Sequence, residues 1–412
     1  MTYTRAVIGA NYGDEGKGRT VDWLVRENSD AWIPSEARLV VRFNGGGQAG
    51  HTVVTPDGRS HIFKHIGSGA FAGAPTHLSK FFIMNPIIFM SEMQELNPKL
   101  DRSPDITADP NCLVTSPFEM ALNQSREEAR GGSKHGSCGA GIGDTVAAAL
   151  SNFDVLRFRD LCDAFKIGDW STVHKKLMVA ENRVREFRKD NGLPELDYNL
   201  MNFEFSEAAV YLLSFIKPVR DARRLNSFPM VIFEGAQGLL LDQTYGSFPY
   251  VTRSDTGIHN VMLLSRDADL PDPQFHYLTR AYLTRHGAGP MESENNWKFE
   301  DKTNVTNKFQ DQLRFGPLSV PKLIDRIYAD LNRNVQLTEK TEVHLHISHM
   351  DQVSEEEFYY VRNNDKKNTD LGTSIRNEII DRKGWSRSKE TWNFIFWRGP
   401  TSKDVTKTFV GA

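Results

Sequence analysis

The sequence predicts an α/β fold: one large, mainly parallel central sheet flanked by helices. Two observations carry this. Apolar runs of strand length alternate with helix-period segments along the 412 residues, the order that lays helices against a parallel sheet. Three of those runs also end directly in glycine-rich loops, at the carboxyl ends of strands, where such sheets bind ligands.

In chain order, Tyr3–Ile8 reads as a short buried strand and Gly9–Gly18 as a glycine-rich turn. Arg19–Arg26 has helical spacing through Val21, Leu24 and Val25. A second strand, Ala37–Phe43, enters Asn44-Gly-Gly-Gly-Gln-Ala-Gly-His-Thr52. Alternating segments at Thr52–Val54 and His61–Lys64 flank Pro56-Asp-Gly58 and predict a hairpin. From Glu119 to about Phe215 the pattern is mainly helical. Within it Trp170–Asn191 is a long polar helix whose Arg183, Arg185, Arg188 and Lys189 are expected on a solvated face. Pro229–Phe233 is a buried strand ending at Glu234-Gly-Ala-Gln-Gly238, Phe275–Leu283 and Glu342–Ile347 are further strands, and Pro321–Leu331 is a helix between those two.

Composition narrows the function. Hydrophobic residues make up 39% and charged residues 25%, a globular balance that excludes wholesale disorder. A net charge of −3 removes the basic footprint of a dedicated nucleic-acid binder. No apolar run reaches the ~18 residues that span a bilayer. Three cysteines without a CxxC pair, and no leader pattern in the first ten residues, predict a cytoplasmic setting.

The loops carry the chemistry. A strand, a glycine-rich turn and a helix present backbone N–H groups and a positive helix end to phosphate, and Lys17 adds a charge that can follow a phosphoryl group in transfer. The loop departs from GxxxxGK[ST], with Asn11 in the first glycine position and Gly18 in place of the hydroxyl residue. Asp14 and Glu15 inside it would be repelled by phosphates unless a carboxylate binds Mg²⁺ or takes a substrate proton. His51 ends the second loop as a candidate proton donor near neutral pH. Gln237 ends the third as a neutral donor and acceptor, and Phe248-Pro-Tyr-Val-Thr-Arg-Ser-Asp-Thr256 follows with hydroxyls that suit phosphate.

Gly13-Asp-Glu-Gly-Lys-Gly18, Gly50-His-Thr52, Phe233-Glu-Gly-Ala-Gln-Gly238, Leu241-Asp242, Pro249-Tyr-Val-Thr252 and Thr284-Arg-His-Gly-Ala-Gly-Pro290 resemble, in order, the motifs of the adenylosuccinate synthetase family. The resemblance implies a P-loop GTPase-related fold, a single domain over 1–412 with a mainly helical insertion around 119–228, and a homodimer. It implies a GTP- and Mg²⁺-dependent carbon–nitrogen ligase joining aspartate to C6 of inosine monophosphate (IMP). By position, Asp14 matches the family's base, His51 its acid and Gln237 the amide that aligns the base, with Lys17 supplying charge. Asp14 and the Gly50 carbonyl match Mg²⁺ ligands. GTP would lie on Gly13, Glu15, Gly16, Lys17, Gly18, Gly50, His51, Thr52, Asp351, Gly399 and Pro400. Asp351 belongs to His349-Met-Asp351, where the family has Lys-Leu-Asp, and Trp397-Arg-Gly-Pro400 resembles the loop that packs on guanine. The purine monophosphate would meet Asp14, Gln48, Ser137, Cys138, Gln237 and Thr252.

Departures cluster on the acceptor and amine sides. The family's threonine- and arginine-rich aspartate loop is replaced by Thr303–Gly316, leaving Thr303, Asn307, Lys308, Gln310 and Arg314 as candidate amino-acid ligands. Ser137-Cys-Gly-Ala-Gly-Ile-Gly143 lacks the family's Arg. The Arg that a partner subunit contributes aligns near Asn152, with Arg157 as the nearest alternative. Two further readings follow: a variant acting on another purine nucleotide, such as dGMP, or on another amine, and a non-catalytic nucleotide sensor. Viral dGMP enzymes resembling this family carry Ser at the position of Asp14, which favours IMP here.

Overall fold

The computed structural model describes residues 2–27, 32–133, 135–301, 313–353, 375 and 390–409. Strand β1 (Tyr3–Gly9) leads through the first glycine-rich loop into helix α1 (Lys17–Arg26), and β2 (Arg38–Arg42) leads into the second loop. The expected hairpin forms from β3 (His51–Val54) and β4 (Ser60–Phe63), paired antiparallel. Strands β5 (Thr76–Leu78) and β6 (Ile83–Met84) precede α2 (Pro86–Leu96), and β7 (Ile106–Ala108) and β8 (Leu113–Val114) follow it.

Five helices come next: α3 (Pro117–Arg130), α4 (Ile142–Leu150), α5 (Phe158–Ile167), α6 (Ser171–Asp190) and α7 (Tyr198–Phe215). The start of α3 is written in its sequence. Ser116 Oγ accepts from Phe118 N at 3.2 Å, the Glu119 carboxylate accepts from Ser116 N at 3.1 Å, and Pro117 occupies the first turn. The chain then adds β9 (Ile216–Pro218), α8 (Asp221–Leu225), β10 (Met230–Glu234), α9 (His259–Asp267), β11 (Gln274–Arg280) and β12 (Tyr282–Arg285). After them come β13 (Arg314–Pro317), α10 (Val320–Asn334), β14 (Glu342–Ser348), β15 (Thr391–Trp397) and β16 (Val405–Phe409).

Ten strands form the central sheet in the order β16-β15-β14-β11-β1-β10-β2-β5-β7-β9. Every neighbouring pair is parallel except β15 with β16. Both faces are covered, as parallel sheets require. Ala6 and Ile8 of β1 pack with Val261 and Leu264 of α9 and Leu323 and Ile327 of α10, whereas Val7 packs on the other face with Val21, Leu24 and Val25 of α1. No helix among the described residues is long and apolar enough to cross a membrane.

Two expectations need correction. Arg188 is not on a solvated face: it is buried, donating to Ser125 Oγ at 2.7 Å and to the Pro194 carbonyl at 2.6 Å. Arg185 stays exposed beside Glu181. Phe275–Leu283 is two strands, not one. The chain turns at Ala281, and β12 leaves the large sheet to pair antiparallel with β13.

One buried carboxylate links this scaffold to the second glycine-rich loop. Glu92 of α2 accepts from Lys64 N at 2.7 Å, Ile66 N at 3.1 Å, His65 N at 2.7 Å and the His65 ring Nδ1 at 3.1 Å. Burial pushes this carboxyl up, but the His65 contacts outweigh it and hold the group below the usual range. With Nδ1 donating, His65 Nε2 accepts from Asn85 N at 3.0 Å, and the ring lies so close to Gly47 that a Cβ there would collide with it. Glu92→Ala strands these donors and should cost about 3–5 kcal/mol of stability, read as a lowered urea midpoint. An unchanged midpoint would mean that the donors find other partners.

Candidate active site

Because β15, β14, β11, β1, β10 and β2 are consecutive parallel neighbours, the loops after them line one carboxyl edge. The glycine-rich loops after β1, β2 and β10 and the turns after β14 and β15 lie on this edge.

The loop after β1 is held from both sides. Asn11 N donates to Glu15 Oε1 at 2.7 Å, Asn11 Nδ2 donates to Thr279 Oγ1 at 2.8 Å, and Arg326 donates to Asn11 Oδ1. Asn11 in the first glycine position therefore anchors the loop through its amide, work a glycine could not do. Gly16, at φ 90°, starts α1 without any side-chain cap. The first-turn N–H groups are thus left for a ligand, an anion site by geometry. Glu15 and Lys17 are both buried beside Gly9, where a Cβ would meet them. Burial pushes Glu15 up and Lys17 down, and each charge opposes the shift of the other.

Asp14 is in the left-handed region at φ 56°. Its Oδ2 is 3.3 Å from His286 Nε2, and its carbonyl accepts from Arg280 Nε at 2.5 Å. Burial raises this carboxyl, but His286, Arg280 and Lys17 together hold it below its ordinary value. Asp14 is therefore ionised at pH 7.

His51 opens β3, and α1 packs against it closely enough that a Cβ on Gly18 would lie 3.0 Å from its Cβ. His51 Nδ1 donates to Glu234 Oε1 at 2.5 Å. Glu234, the last residue of β10, also accepts from Ser68 N at 3.0 Å and from the Ser68 hydroxyl, with Arg42 Nη1 3.6 Å away. Despite burial, Arg42 and His51 hold the Glu234 carboxyl down to about 2. An ionised Glu234 can only accept, so the His51 proton is on Nδ1 and Nε2 is the ring's acceptor. Burial and Arg42 push the His51 ring down to about 4, so in the free protein it is neutral at pH 7, well below the near-neutral titration expected from the sequence.

On the acceptor side, Gln237 is held at φ 63°. Gln48 Oε1 is buried without a partner among the described residues. The 137–143 segment is brought in by contacts of its flanks: Gly136 abuts Gly287, where a Cβ would lie 2.8 Å from Gly287 Cα, and His135 packs edge-on against Tyr250 at 5.5 Å. Ser137 Oγ donates to Asn123 Oδ1 at 2.6 Å, and Cys138 is exposed. Thr252 is half-buried, its N–H on the Leu241 carbonyl at 2.8 Å. Asn152 and Arg157 lie after α4 and before α5, with Arg157 Nη1 on the Asn111 carbonyl at 3.0 Å.

On the nucleotide side, Asp351 is exposed in the turn after β14, and Gly399-Pro400 follow β15, with the Gly399 carbonyl accepting from Arg19 Nη1 at 2.7 Å. On the amine side, Thr303, Asn307, Lys308 and Gln310 lie outside the described residues. Arg314 is engaged: it donates to Glu294 at 2.6 Å and to the carbonyls of Gly287 at 2.7 Å and Gly289 at 2.5 Å. A substrate carboxylate would have to replace Glu294.

Sequence reasoning missed Arg42, Ser68, Glu234, Arg280 and His286, all within a hydrogen bond or ion pair of the motif residues. Glu234 and His286 stood inside quoted motifs, whereas Arg42 and Arg280 look like ordinary strand residues. The His51 environment makes a checkable statement. Its folded ring binds a proton more weakly than the unfolded one, so the stability it contributes is complete above about pH 6.5 and is lost as pH falls toward 4. NMR titration of the free protein should place His51 near 4 and move it upward when a phosphate-bearing nucleotide binds. A free-state midpoint near neutrality would mean that Arg42 and burial do not govern the ring.

The family profile for adenylosuccinate synthetase matches residues 6–314. The adenylosuccinate synthetase of Anaeromyxobacter sp. (strain Fw109-5) is 33% identical over 301 residues, 70% of this chain and 64% of that protein. That of Myxococcus xanthus is 30% identical over 304 residues, 70% of this chain and 65% of that protein. The chain thus spans slightly less than two thirds of the length of the curated relatives it matches. Two solved structures share the fold at 17% identity. Fully ligated adenylosuccinate synthetase from Plasmodium falciparum superposes with a TM-score of 0.68, over 99% of this chain and all of that one. Cyanophage S-2L succinoaminodeoxyadenylate synthetase (PurZ), bound to dGMP and to dATP as an energy donor, gives 0.62, over 99% of this chain and 96% of that one. Together with the ordered motifs and the loops they place on one sheet edge, the profile match establishes that this chain belongs to the adenylosuccinate synthetase family.

Proposed function

We propose that the protein is a GTP-dependent ligase joining L-aspartate to C6 of IMP, giving adenylosuccinate, GDP and phosphate. The observation that carries this reading is the pairing, on one edge, of an uncapped phosphate-loop helix with an ionised Asp14 and a Glu234-oriented His51. The Asp14 carboxylate takes the N1 proton of the purine, and the 6-oxygen then attacks the γ-phosphorus of GTP as GDP leaves. The aspartate amine next attacks C6, and the 6-oxygen departs with the phosphoryl group as phosphate. His51 serves the transfer once an entering phosphate offsets the repulsion of Arg42 and Lys17, because a nearby anion favours the charged ring. Nε2 then donates while Nδ1 stays on Glu234. Lys17 follows the moving charge, and Gln237 offers its amide to the purine edge.

The Asp14 carboxylate and the Gly50 carbonyl are hard oxygen donors of the kind Mg²⁺ takes alongside substrate phosphates. Bound there, the cation would neutralise charge on the transferring group. Arg314, held by Glu294 and two carbonyls, supports a second reading, in which the amine donor or the purine monophosphate (dGMP, for example) differs. A cytoplasmic homodimer fits the apolar side chains exposed along the helices, among them Leu150, Phe165, Ile167, Met178, Leu200 and Phe203. Sedimentation should then give twice 46.7 kDa, and a monomer at micromolar concentration would reject the dimer.

Phosphate release should require GTP, aspartate and IMP together. Release with dGMP in place of IMP selects the second reading, and no release with any purine monophosphate and amine selects a nucleotide sensor. Asp14→Asn should lower turnover about 10²–10⁴-fold while GDP still binds. Near-normal turnover in that variant would remove Asp14 from the role of base.

A further inference from the structure

Arg19 is a buried cation that the chemistry above does not use. It sits in the first turn of α1, two residues after Lys17, and is 8% exposed. Its guanidinium lies 4.2 Å from the ring centroid of Trp397, which is itself fully buried and is braced edge-on by Trp23 at 5.7 Å. Stacking on an aromatic face and a hydrogen bond from Nη1 to the Gly399 carbonyl at 2.7 Å fix the plane of the fork. Among the described residues its Nε and Nη2, both buried, have no hydrogen-bond partner. Burial pushes this guanidinium down to about 9, and the carboxylates whose charge reaches it are Asp351 and Asp404, with Arg280 opposing. Asp404 is already committed, accepting from Thr401 N at 2.8 Å and Thr401 Oγ1 at 2.8 Å. Asp351 is exposed.

A fixed, planar pair of donors, unmet among the described residues and within electrostatic reach of the exposed Asp351 carboxylate, suits one kind of ring. We propose that Arg19 reads the O6/N7 edge of the guanine of the nucleoside triphosphate, facing the Asp351 carboxylate that meets N1–H and N2–H. Guanine presents two adjacent acceptors on its O6/N7 edge, the pair that an arginine fork meets bidentately, whereas adenine places an N6 donor where O6 would be. Adenine would therefore leave one Arg19 nitrogen facing a donor and Asp351 facing an acceptor. His349 is half-buried, and desolvation together with the charges of Arg280 and Arg19 pushes its ring down to about 2, so it brings no charge to the base.

This assignment rests on the guanine-nucleotide reading above, and binding separates the two. Calorimetric titration of the full chain with GDP, 7-deaza-GDP and ADP in the presence of Mg²⁺ is the experiment. The unmodified protein should bind GDP about 10- to 100-fold more tightly than 7-deaza-GDP, which lacks the N7 acceptor. Arg19→Gln should abolish that difference, and Arg19→Lys, which keeps the charge without the fork, should reduce it. Equal binding of GDP and 7-deaza-GDP by the unmodified protein overturns the role without any variant. So does an Arg19→Gln variant that weakens GDP and ADP alike while keeping the N7 penalty, because that pattern belongs to a phosphate ligand. Equal binding of GDP and ADP by the unmodified protein overturns the guanine reading itself, and this role with it.

Discussion

A single ionised carboxylate at the end of β10 holds the centre of this molecule together. Glu234 is fully buried, and an unpaired ion there would cost several kcal/mol. The structure offsets that cost from three other places: hydrogen bonds from His51 at the start of β3 and Ser68 beyond β4, and the cation of Arg42 at the end of β2. Each donor fixes the position of its own segment, so the second glycine-rich loop, the hairpin and the central sheet share one electrostatic anchor. The tautomer of His51 follows from the same contact. Fold and chemistry meet at this carboxylate, which is itself part of neither the phosphate loop nor the acceptor side.

The balance of charge along the carboxyl edge follows the same logic. Lys17, Arg19, Arg42 and Arg280 are all buried there, against Glu15 and Glu234, with Asp14 half-buried among them. Buried cations near an uncapped helix start create a field that an incoming polyphosphate relieves. Burial lowers the proton affinities of His51, Lys17 and Arg19, and for His51 the Arg42 cation lowers it further. Ligand charge would complete the site electrostatically as well as sterically.

Much of this was legible in the sequence, and the reasons for the remainder are physical. β1, β2, β10 and β14 are apolar runs feeding glycine-rich or polar turns, so strand and loop announce each other. Strands β5, β6, β7 and β8 have two or three residues each, too short for any periodicity to register. The turn at Ala281 is invisible because β11 and β12 run on with no glycine or proline between them, and only pairing with β13 separates them. Arg188 was assigned to water by its charged neighbours, but a helix face is set by what packs on it, here Ser125 of α3 and the Pro194 carbonyl. Among site residues, those in glycine-rich loops could be named. Arg42, Arg280 and Arg19 could not, since an arginine on a strand or helix declares its partner only in three dimensions.

The position of β1 carries a consequence for how the chain is made. Its register pairs Tyr3 with Met230 on one side and Arg5 with Gln274 on the other. At ribosomal rates of roughly 5–20 residues per second, the segment bearing the phosphate loop is synthesised roughly 10–45 s before its first sheet neighbour. During that interval an apolar strand, Val7 and Ile8 included, has no sheet to join. Its capture closes a loop of more than 200 residues, an entropic demand that slows folding. Factors that shelter this strand until β10 exists should therefore raise the yield of folded protein.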